Sequence, residues 1–566
     1  MDTAMVGLTP RQLFAAFAGA LLLATSLVAH EAERRTDVRY LVLEIDANDV
    51  VRLLDSKRVS IAADPSPAHA ADASRMRVAS ESDVVEASLV GADGAVIARQ
   101  AVALDRHLRA EFTTSPDGAI EGRWLPRERT PFVVRLPAAP AAFVDLRVTE
   151  SGRTQRFAVA ELDRRARLRS ESADASPPFE TRSTGANSAN RLDLLVLGDG
   201  YTAAESATFY KDVERIVGSF LGVEPYASYS NFVNVSTLFV PSRQSGADHP
   251  LCDDGGADPK EGTTVDTAFD ATFCTSGIQR LLTVNYGKVL TAAAAIPDWD
   301  KIIVIVNDTM YGGAGGTFSV SSTHMNGVEI LQHEYGHSFA RLADEYDSPY
   351  PSYPLCSDRA PGPPCEANVT DVPERAAIKW APWILPSTPV PTAWPIVDAI
   401  GLFEGARYKS TGMYRPKHDC LMNHLGQPFC SVCAEAYVRR LYTGWNGIPA
   451  AGIDLIEPGT EMPAASQIAV SRGTAVTFSA QLLQPLRGGV NARWLVDGAV
   501  VAGNTGSSFV FVPEAEGTFT IELQVTDATP LVLAAIGTSP LTKTRRWVVT
   551  VGDQPPPPAR RRAVRS

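Results

Sequence analysis

The sequence predicts a multidomain protein with an all-β region at each end and an α/β (α+β) region between them. Its 566 residues exceed what one hydrophobic core usually supports, which favours several domains. Short runs of β-branched and apolar residues, separated by turn residues, fill the two outer regions. In the middle region, apolar strand patterns alternate with helical patterns, which is typical of α/β or α+β folds.

Residues 1–29 have the pattern of an export signal. An apolar run at 13–28 follows Arg11, and Ala29 offers a small residue for cleavage. An uncleaved membrane anchor is the alternative, but the run is shorter than the ~20 residues of a comfortable membrane span. We therefore predict export to the periplasm, the cell surface or the medium, with no stable membrane insertion after cleavage.

The N-terminal β domain is predicted over residues 30–168. Strand patterns stand out at 39–45, 131–136 and 142–148, and no cluster of catalytic residue types accompanies them. Residues 169–190 are rich in serine, alanine, asparagine and proline, which is the composition of a linker.

The middle region is predicted over residues 191–450. Buried-type strands are expected at 192–197 and 301–306, with a helix at 203–221 between them. A glycine-rich stretch, YGGAGG, occupies 311–316. It does not predict a phosphate loop, because no Gly-Lys-Ser/Thr follows it.

The C-terminal region, residues 451–552, is predicted to be an immunoglobulin-like β-sandwich. Strand patterns recur at 474–480, 493–498, 518–525 and 546–551, within about one hundred residues. Residues 553–566 carry a polyproline run and a basic end and are predicted to be a disordered tail.

Charge and cysteine usage narrow the functional classes. The net charge of −12 argues against a nucleic-acid partner, which would need a basic face. All seven cysteines lie between residues 250 and 435, and export makes disulfides plausible. The natural local pairs are Cys252–Cys274 and Cys356–Cys365, with Cys420 joining Cys430 or Cys433. A Cys-x-x-Cys can also be a zinc or redox motif, but no second pair stands at zinc-ribbon spacing.

The segment 327–342 contains the pattern that carries chemistry. Apolar residues recur at helical spacing, and His333 and His337, four residues apart, project from the same helix face. Two such imidazoles can bind one Zn²⁺, and Glu334 is placed to take a proton from metal-bound water. The pattern predicts one catalytic zinc ion, with Glu334 as the general base.

The third ligand is expected downstream, at Asp344 ahead of Glu345. On an unbroken helix Asp344 would lie ~10 Å beyond His337, too far to share an ion. Asp344 can therefore bind only if the chain leaves the helix after about Ala340 and folds back. Such a turn usually uses a glycine with positive φ, and none is present. A helix-end salt bridge is the alternative role for these carboxylates.

A second group of candidates follows at 412–423. Tyr414 is a candidate for stabilising an oxyanion, although a packed tyrosine is equally consistent with the pattern. The tripeptide at 420–422, CLM, resembles the methionine turn beneath the zinc of metzincin peptidases, which implies that Met422 is a hydrophobic floor; an ordinary core residue is the alternative. His418 is a reserve metal ligand.

These motifs together resemble the IgA-peptidase family of bacterial zinc metallopeptidases (metallopeptidase family 64). The resemblance is carried by LGDGYT at 197–202, residues 225–235, SGAD at 245–248, the zinc helix with LADEY at 342–346, YRP at 414–416, CLM at 420–422 and FCSVC at 429–433. It implies a metzincin-like fold, one catalytic zinc, a methionine turn at Met422 and endopeptidase activity. Members commonly carry an N-terminal β domain. The family often has glycine where this sequence has Arg341.

The sequence thus predicts a secreted zinc endopeptidase acting on protein or peptide substrates, with an undetermined oligomeric state. An adhesin with a non-catalytic zinc site is one alternative, but it would not need Glu334. A zinc amidase acting on cell-wall peptides is the other. The segment 315–321 is predicted either to pair with substrate as an edge strand or to form a plain structural hairpin.

Overall fold

A computed structural model describes residues 35–62, 83–113, 120–172, 180–183, 188–253, 258–350, 353–444, 452–533 and 541–552. The predicted signal segment at 1–29 and the predicted tail at 553–566 lie outside these residues. The described chain is mostly β, with several sheets and few helices, in keeping with the multidomain prediction.

The N-terminal region consists of two packed sheets, one with the strand order β2-β1-β7 and one with the order β4-β3-β8-β9, together with a β5-β6 hairpin. Alternate apolar residues of β1, β3, β7 and β8 form the core between the two sheets. The elements are β1 (Arg35–Asp46), β2 (Val51–Ala62), β3 (Val84–Val90), β4 (Val96–Ala103), β5 (His107–Thr113), β6 (Ile120–Pro126), β7 (Arg129–Pro137), β8 (Phe143–Val148), β9 (Thr154–Ala158) and helix α1 (Val159–Ser172).

Strand β1 also joins this region to the middle of the chain. Leu41 and Leu43 face the N-terminal core, whereas Tyr40 and Val42 point the other way, into a core shared with the middle region. The hydroxyl of Tyr40 donates to the carbonyl of Leu290 at 3.1 Å. The N-terminal sheets are therefore docked on the middle region through a buried apolar face.

The middle region is built on a six-stranded mixed sheet with the order β10-β12-β11-β13-β15-β14. Strands β12, β11, β13 and β15 are parallel, and the two outer strands are antiparallel to their neighbours. The elements are β10 (Glu180–Ser183), β11 (Leu192–Asp199), α2 (Ser206–Val213), β12 (Val233–Phe239), α3 (Tyr286–Ala293), β13 (Lys301–Val306), β14 (Gly313–Ala314), β15 (Ser319–Ser322), α4 (Gly327–Ser338), β16 (Phe403–Ala406), β17 (Lys409–Arg415) and α5 (Ser431–Thr443).

The predicted elements of this region are confirmed. The strands expected at 192–197 and 301–306 are β11 and β13, and both are buried because helices or the N-terminal sheets cover their two faces. The helix expected at 203–221 is a continuous helical segment whose 3₁₀ turn at Ala203–Glu205 leads into α2 and then into a π-helical turn at Glu214–Gly218.

One segment differs from its prediction, and a second takes one of its two predicted forms. The segment 169–190, predicted to be a linker, holds the end of α1 and strand β10, because β10 finds an antiparallel partner in β12. The segment 315–321 contains the start of β15, which lies between β13 and β14 and so is not an edge strand. The short strand β14 is the outer one, and the two form the structural hairpin.

The C-terminal region contains a five-stranded sheet, β18-β24-β23-β20-β21, and a two-stranded sheet, β19-β22. Trp494, Trp547 and Phe478 pack at its centre. The hydroxyls of Tyr229 and Tyr442 donate to the buried carboxylate of Asp527 at 2.7 Å each, which joins this region to the middle one. The strands are β18 (Gln467–Ser471), β19 (Val476–Ser479), β20 (Val490–Val496), β21 (Ala499–Val500), β22 (Ser508–Phe511), β23 (Gly517–Asp527) and β24 (Thr542–Gly552).

Two of the predicted disulfides, Cys252–Cys274 and Cys356–Cys365, are confirmed. The prediction of a third is wrong: Cys420, Cys430 and Cys433 are buried free thiols. Their sulfur atoms face a common centre, and those of Cys420 and Cys433 stand 3.7 Å apart. Among the described residues, no helix is long and apolar enough to cross a membrane.

Candidate metal centre

Helix α4 carries both histidines on one face, since residues four apart lie one above the other. Its apolar residues Leu331, Tyr335 and Phe339 pack into the core with β11 and β13, as their spacing predicts. His333 and His337 are both buried, and their Nε2 atoms are 3.1 Å apart. The rigid helix therefore aims two imidazole nitrogens at one point.

The chain leaves the helix where the sequence required it to do so. Helix α4 ends at Ser338, and Arg341 adopts a φ of +55° without being glycine. The Leu342 N–H donates back to the carbonyl of Gly336 at 3.1 Å. This turn brings Asp344 Oδ1 to 3.3 Å from His333 Nε2 and 3.1 Å from His337 Nε2. The left-handed conformation costs roughly 1–2 kcal/mol in a non-glycine residue.

Hydrogen bonds on both sides hold the turn in place against that cost. Asn368 accepts from the Ala343 N–H through Oδ1 and donates to the Ala343 carbonyl through Nδ2, both at 2.8 Å. The Glu345 N–H donates to the carbonyl of Met422 at 2.9 Å. Hydrogen bonds to both of its neighbours, Ala343 and Glu345, therefore fix the backbone at Asp344.

The tautomers of the two histidines follow from their partners. His333 Nδ1 lies 3.0 Å from the Leu421 carbonyl, and His337 Nδ1 lies 2.7 Å from the Leu342 carbonyl. A carbonyl oxygen can only accept, so each Nδ1 carries the proton. Each Nε2 then presents its lone pair to the shared point, which is the arrangement of a metal-binding histidine.

The donor set fits a tetrahedral transition metal. Atoms bound at about 2.0–2.1 Å to one tetrahedral ion lie about 3.3–3.4 Å apart. The three distances among His333 Nε2, His337 Nε2 and Asp344 Oδ1, between 3.1 and 3.3 Å, are close to that spacing. Asp344 Oδ1 is buried and has no hydrogen-bond partner among the described residues, so a cation would satisfy it. Two imidazoles and one carboxylate are ligands typical of catalytic zinc.

Glu334 lies in the cleft beside this cluster. The cleft is lined by residues of five different segments: Arg280, Tyr311, Gly313, Ile330, His333, Glu334, Tyr346 and Leu425. The backbone of Gly315 packs against the carboxylate, and a Cβ at that position would stand 2.1 Å from Glu334 Oε2. Gly315 therefore leaves the space that the Glu334 side chain occupies.

Met422 packs against helix α4 at Gly336. It is fully buried, and a Cβ added to Gly336 would meet its sulfur at 3.0 Å. The neighbouring Leu421 carbonyl is the partner of His333, so the turn at 420–422 both supports and orients the cluster.

The chain is similar to a known protein family over the region that holds this cluster. The profile of the IgA Peptidase M64 family matches residues 180–399 and 395–441. This part of the chain belongs to the IgA peptidase M64 family. The match contains all of the cluster and its cleft, and we call residues 180–441 the M64 region. Membership of a metallopeptidase family makes it a peptidase region that acts on protein or peptide substrates.

Other comparisons add no functional information. No curated protein matches the chain. A quinonprotein alcohol dehydrogenase-like protein from Bacteroides thetaiotaomicron is 14% identical, with a TM-score of 0.13, over 17% of this chain and 19% of its own. A "putative beta-galactosidase" from Bacteroides fragilis is 8% identical, with a TM-score of 0.11, over 84% of this chain and 69% of its own. Such TM-scores do not bear on the fold.

The other two candidate ligands, Glu345 and His418, do not lie with the histidine pair. Glu345 points away from the histidines, towards the three free cysteines, with its Oε1 3.4 Å from Cys433 Sγ. His418 pairs with Asp419 at 3.0 Å and does not join the cluster in the described part of the chain. Asp344 is thus the carboxylate that the fold brings to the histidine pair.

Tyr414 is not among the residues that line this cleft. It sits on β17 opposite Glu404, and its backbone pairs with that of Thr370. Burial and the charge of Glu404 raise its pKa. The cleft wall holds two polar side chains that the sequence analysis missed, Arg280 and Tyr311, with Arg280 Cζ 5.4 Å from the centroid of the Tyr311 ring. Both residues are far from the histidine motif along the chain, so no sequence pattern links them to the site.

Replacing Arg341 by glycine is expected to stabilise the M64 region by about 1 kcal/mol, since glycine adopts positive φ without a Cβ clash. The expected rise in the thermal midpoint is about 2–4 °C for a domain of this size, measured by calorimetry with metal bound. Arg341→Ala is the matched control, because it removes the guanidinium but keeps the Cβ. An equal rise in both variants would show that backbone strain is not the cause.

Proposed function

We propose that the chain is a secreted zinc-dependent endopeptidase with His333, His337 and Asp344 as metal ligands. The observation that carries the proposal is the buried triangle of Nε2, Nε2 and Oδ1 atoms, with 3.1–3.3 Å edges, beside a carboxylate in a cleft. When bound, zinc would polarise a water molecule and the scissile carbonyl.

The protein's own groups would manage the proton and the substrate. Glu334 accepts the proton of the attacking water at its carboxylate and delivers it to the nitrogen of the leaving amine. Gly315 keeps that carboxylate in position, and the two Nδ1–H groups keep both imidazoles neutral and oriented. We assign stabilisation of the developing oxyanion to the donors of Arg280 and Tyr311 on the cleft wall, in place of Tyr414.

The structure supports three further parts of the proposal. A mixed sheet, a histidine helix and a methionine turn beneath it favour a metzincin-like fold for the M64 region. Two packed sheets around Trp494 favour an immunoglobulin-like C-terminal domain. The two disulfides are in keeping with export, since such bonds persist in oxidising compartments.

Removing the metal should abolish peptide-bond cleavage, and Zn²⁺ should restore it. The measurement is the rate of cleavage of an unfolded protein before chelation, after chelation and after titration with Zn²⁺. Mg²⁺ is the control ion and should not restore activity, since it prefers oxygen ligands in octahedral geometry. A preparation that is metal-free by elemental analysis but cleaves at the original rate would refute the proposal.

A further inference from the structure

A second group of metal-ligand side chains lies on the far side of the Asp344 turn. Glu345, Cys420, Cys430 and Cys433 are all buried, and one ligand atom from each lies within 4.8 Å of every other. Asp344 and Glu345 are consecutive residues facing opposite ways. One faces the histidine pair and the other faces three thiols. We call these four residues the cysteine cluster.

Two distances within the cysteine cluster are close to those in tetrahedral zinc sites, and the sulfur–sulfur distance is too long for a disulfide. Two sulfurs bound at about 2.3 Å to a tetrahedral ion lie about 3.8 Å apart, and a bound sulfur and oxygen lie about 3.5 Å apart. The Cys420 and Cys433 sulfurs are 3.7 Å apart, and Cys433 Sγ is 3.4 Å from Glu345 Oε1. A disulfide needs about 2.05 Å between its sulfurs.

The surroundings of the cysteine cluster act on its thiols in both directions: burial raises the pKa of Cys420 and Cys433, whereas a helix N-terminus and a nearby guanidinium favour negative charge. Cys430 is the N-cap of the 13-residue helix α5, and Cys433 lies in its first turn, where the helix dipole stabilises negative charge. The Cys430 N–H donates to Cys420 Sγ at 3.3 Å. The buried guanidinium of Arg415 lies close enough to act electrostatically on Glu345 and offsets part of the charge.

Glu345 supplies the fourth donor. Its Oε1 accepts from Asn368 Nδ2 at 2.9 Å, whereas Oε2 is buried without a hydrogen-bond partner among the described residues. An isolated buried carboxylate is costly, and a bound cation removes that cost. Three thiolates with one hard ligand form a donor set that selects zinc over calcium or magnesium.

We propose that Glu345, Cys420, Cys430 and Cys433 form a second, structural zinc site. It joins three segments: the turn after helix α4, the turn that holds Met422, and the start of helix α5. Since four protein ligands close the coordination shell, this site has no open position for a substrate. Its effect is to hold Asp344 and Met422 in register beneath the histidine pair.

Zinc content of the full-length protein tests the proposal independently of peptidase activity. Wild type should hold about two zinc ions per chain, and the double variant H333A/H337A about one. The double variant C430S/C433S should lose the second ion, whereas Ser431→Ala on the same helix turn should keep both. A single ion in wild type that is lost in H333A/H337A would overturn the second site and leave the catalytic one standing.

The metal-ligand shell gives a test that does not depend on C430S/C433S folding. X-ray absorption at the zinc edge of H333A/H337A should show sulfur neighbours at about 2.3 Å. Thiol titration of the denatured wild type in chelator should then find all three cysteines reduced. A shell of nitrogen and oxygen alone, or a disulfide within the cysteine cluster, would overturn the proposal.

Discussion

Replacing Glu334 by glutamine is expected to lower the rate of peptide cleavage about 10²–10⁴-fold without loss of zinc, the range typical of a lost general acid–base. Glutamine has nearly the same shape, so the packing of this side chain against Gly315 is kept. What disappears is the carboxylate that accepts the proton of water. The fall should therefore appear in kcat rather than in KM, because substrate binding uses other parts of the cleft.

Glu329→Gln is the matched control for that variant. Glu329 is half-buried in the first turn of the same helix and does not line the cleft. It should keep wild-type turnover and wild-type zinc content. If Glu334→Gln cleaved as fast as this control, with zinc bound in both, the proton-transfer role would be wrong and the base would have to come from another residue.

Local patterns predicted the parts of the site that one helix determines. The four-residue spacing of His333 and His337 fixes both imidazoles on one face, and no tertiary contact is needed to infer it. Strand β13 was equally clear, since a short run of branched apolar residues between polar ends has few other uses. Local cysteine pairs were predicted for the same reason: a short loop closes at little cost in entropy.

The sequence predicts Asp344 as a ligand only on the condition that the helix ends near Ala340. The length of the helix required a break near Ala340, but the sequence offered no glycine for it. The structure shows Arg341 in the left-handed region, held there by Asn368 and by the Met422 carbonyl. Those partners lie 25 or more residues further along the chain, so propensity at Arg341 could not reveal them.

The cysteine cluster was missed for a similar reason. Cys430 and Cys433 form a recognisable pair, but the remaining donors are Cys420 and a carboxylate 88 residues upstream of Cys433. Rules based on spacing look for a second Cys-x-x-Cys and do not find it.

The docking of β1 through Tyr40 and Val42 was not predicted either, because strand alternation identifies buried faces but not which neighbour covers them.

Removing the carboxylate of Asp344 is expected to weaken zinc binding at the histidine pair more than 100-fold, beyond the 10–100-fold typical of losing an outer-shell partner. In Asp344→Ala only two imidazoles would remain. Glu345 faces the cysteine cluster and His418 pairs with Asp419, so neither is placed to replace the lost ligand. Peptidase activity should fall in parallel and return only partly at high Zn²⁺.

Asp347→Ala provides the comparison for that loss. Asp347 is an exposed carboxylate three residues further along the same segment, so it reports the effect of a lost negative charge alone. Competition with a chromophoric chelator measures the affinity, and the zinc content of the cysteine cluster should stay constant in both variants. Equal zinc affinity in Asp344→Ala and Asp347→Ala would refute Asp344 as a ligand, and the turn at Arg341 would then need another purpose.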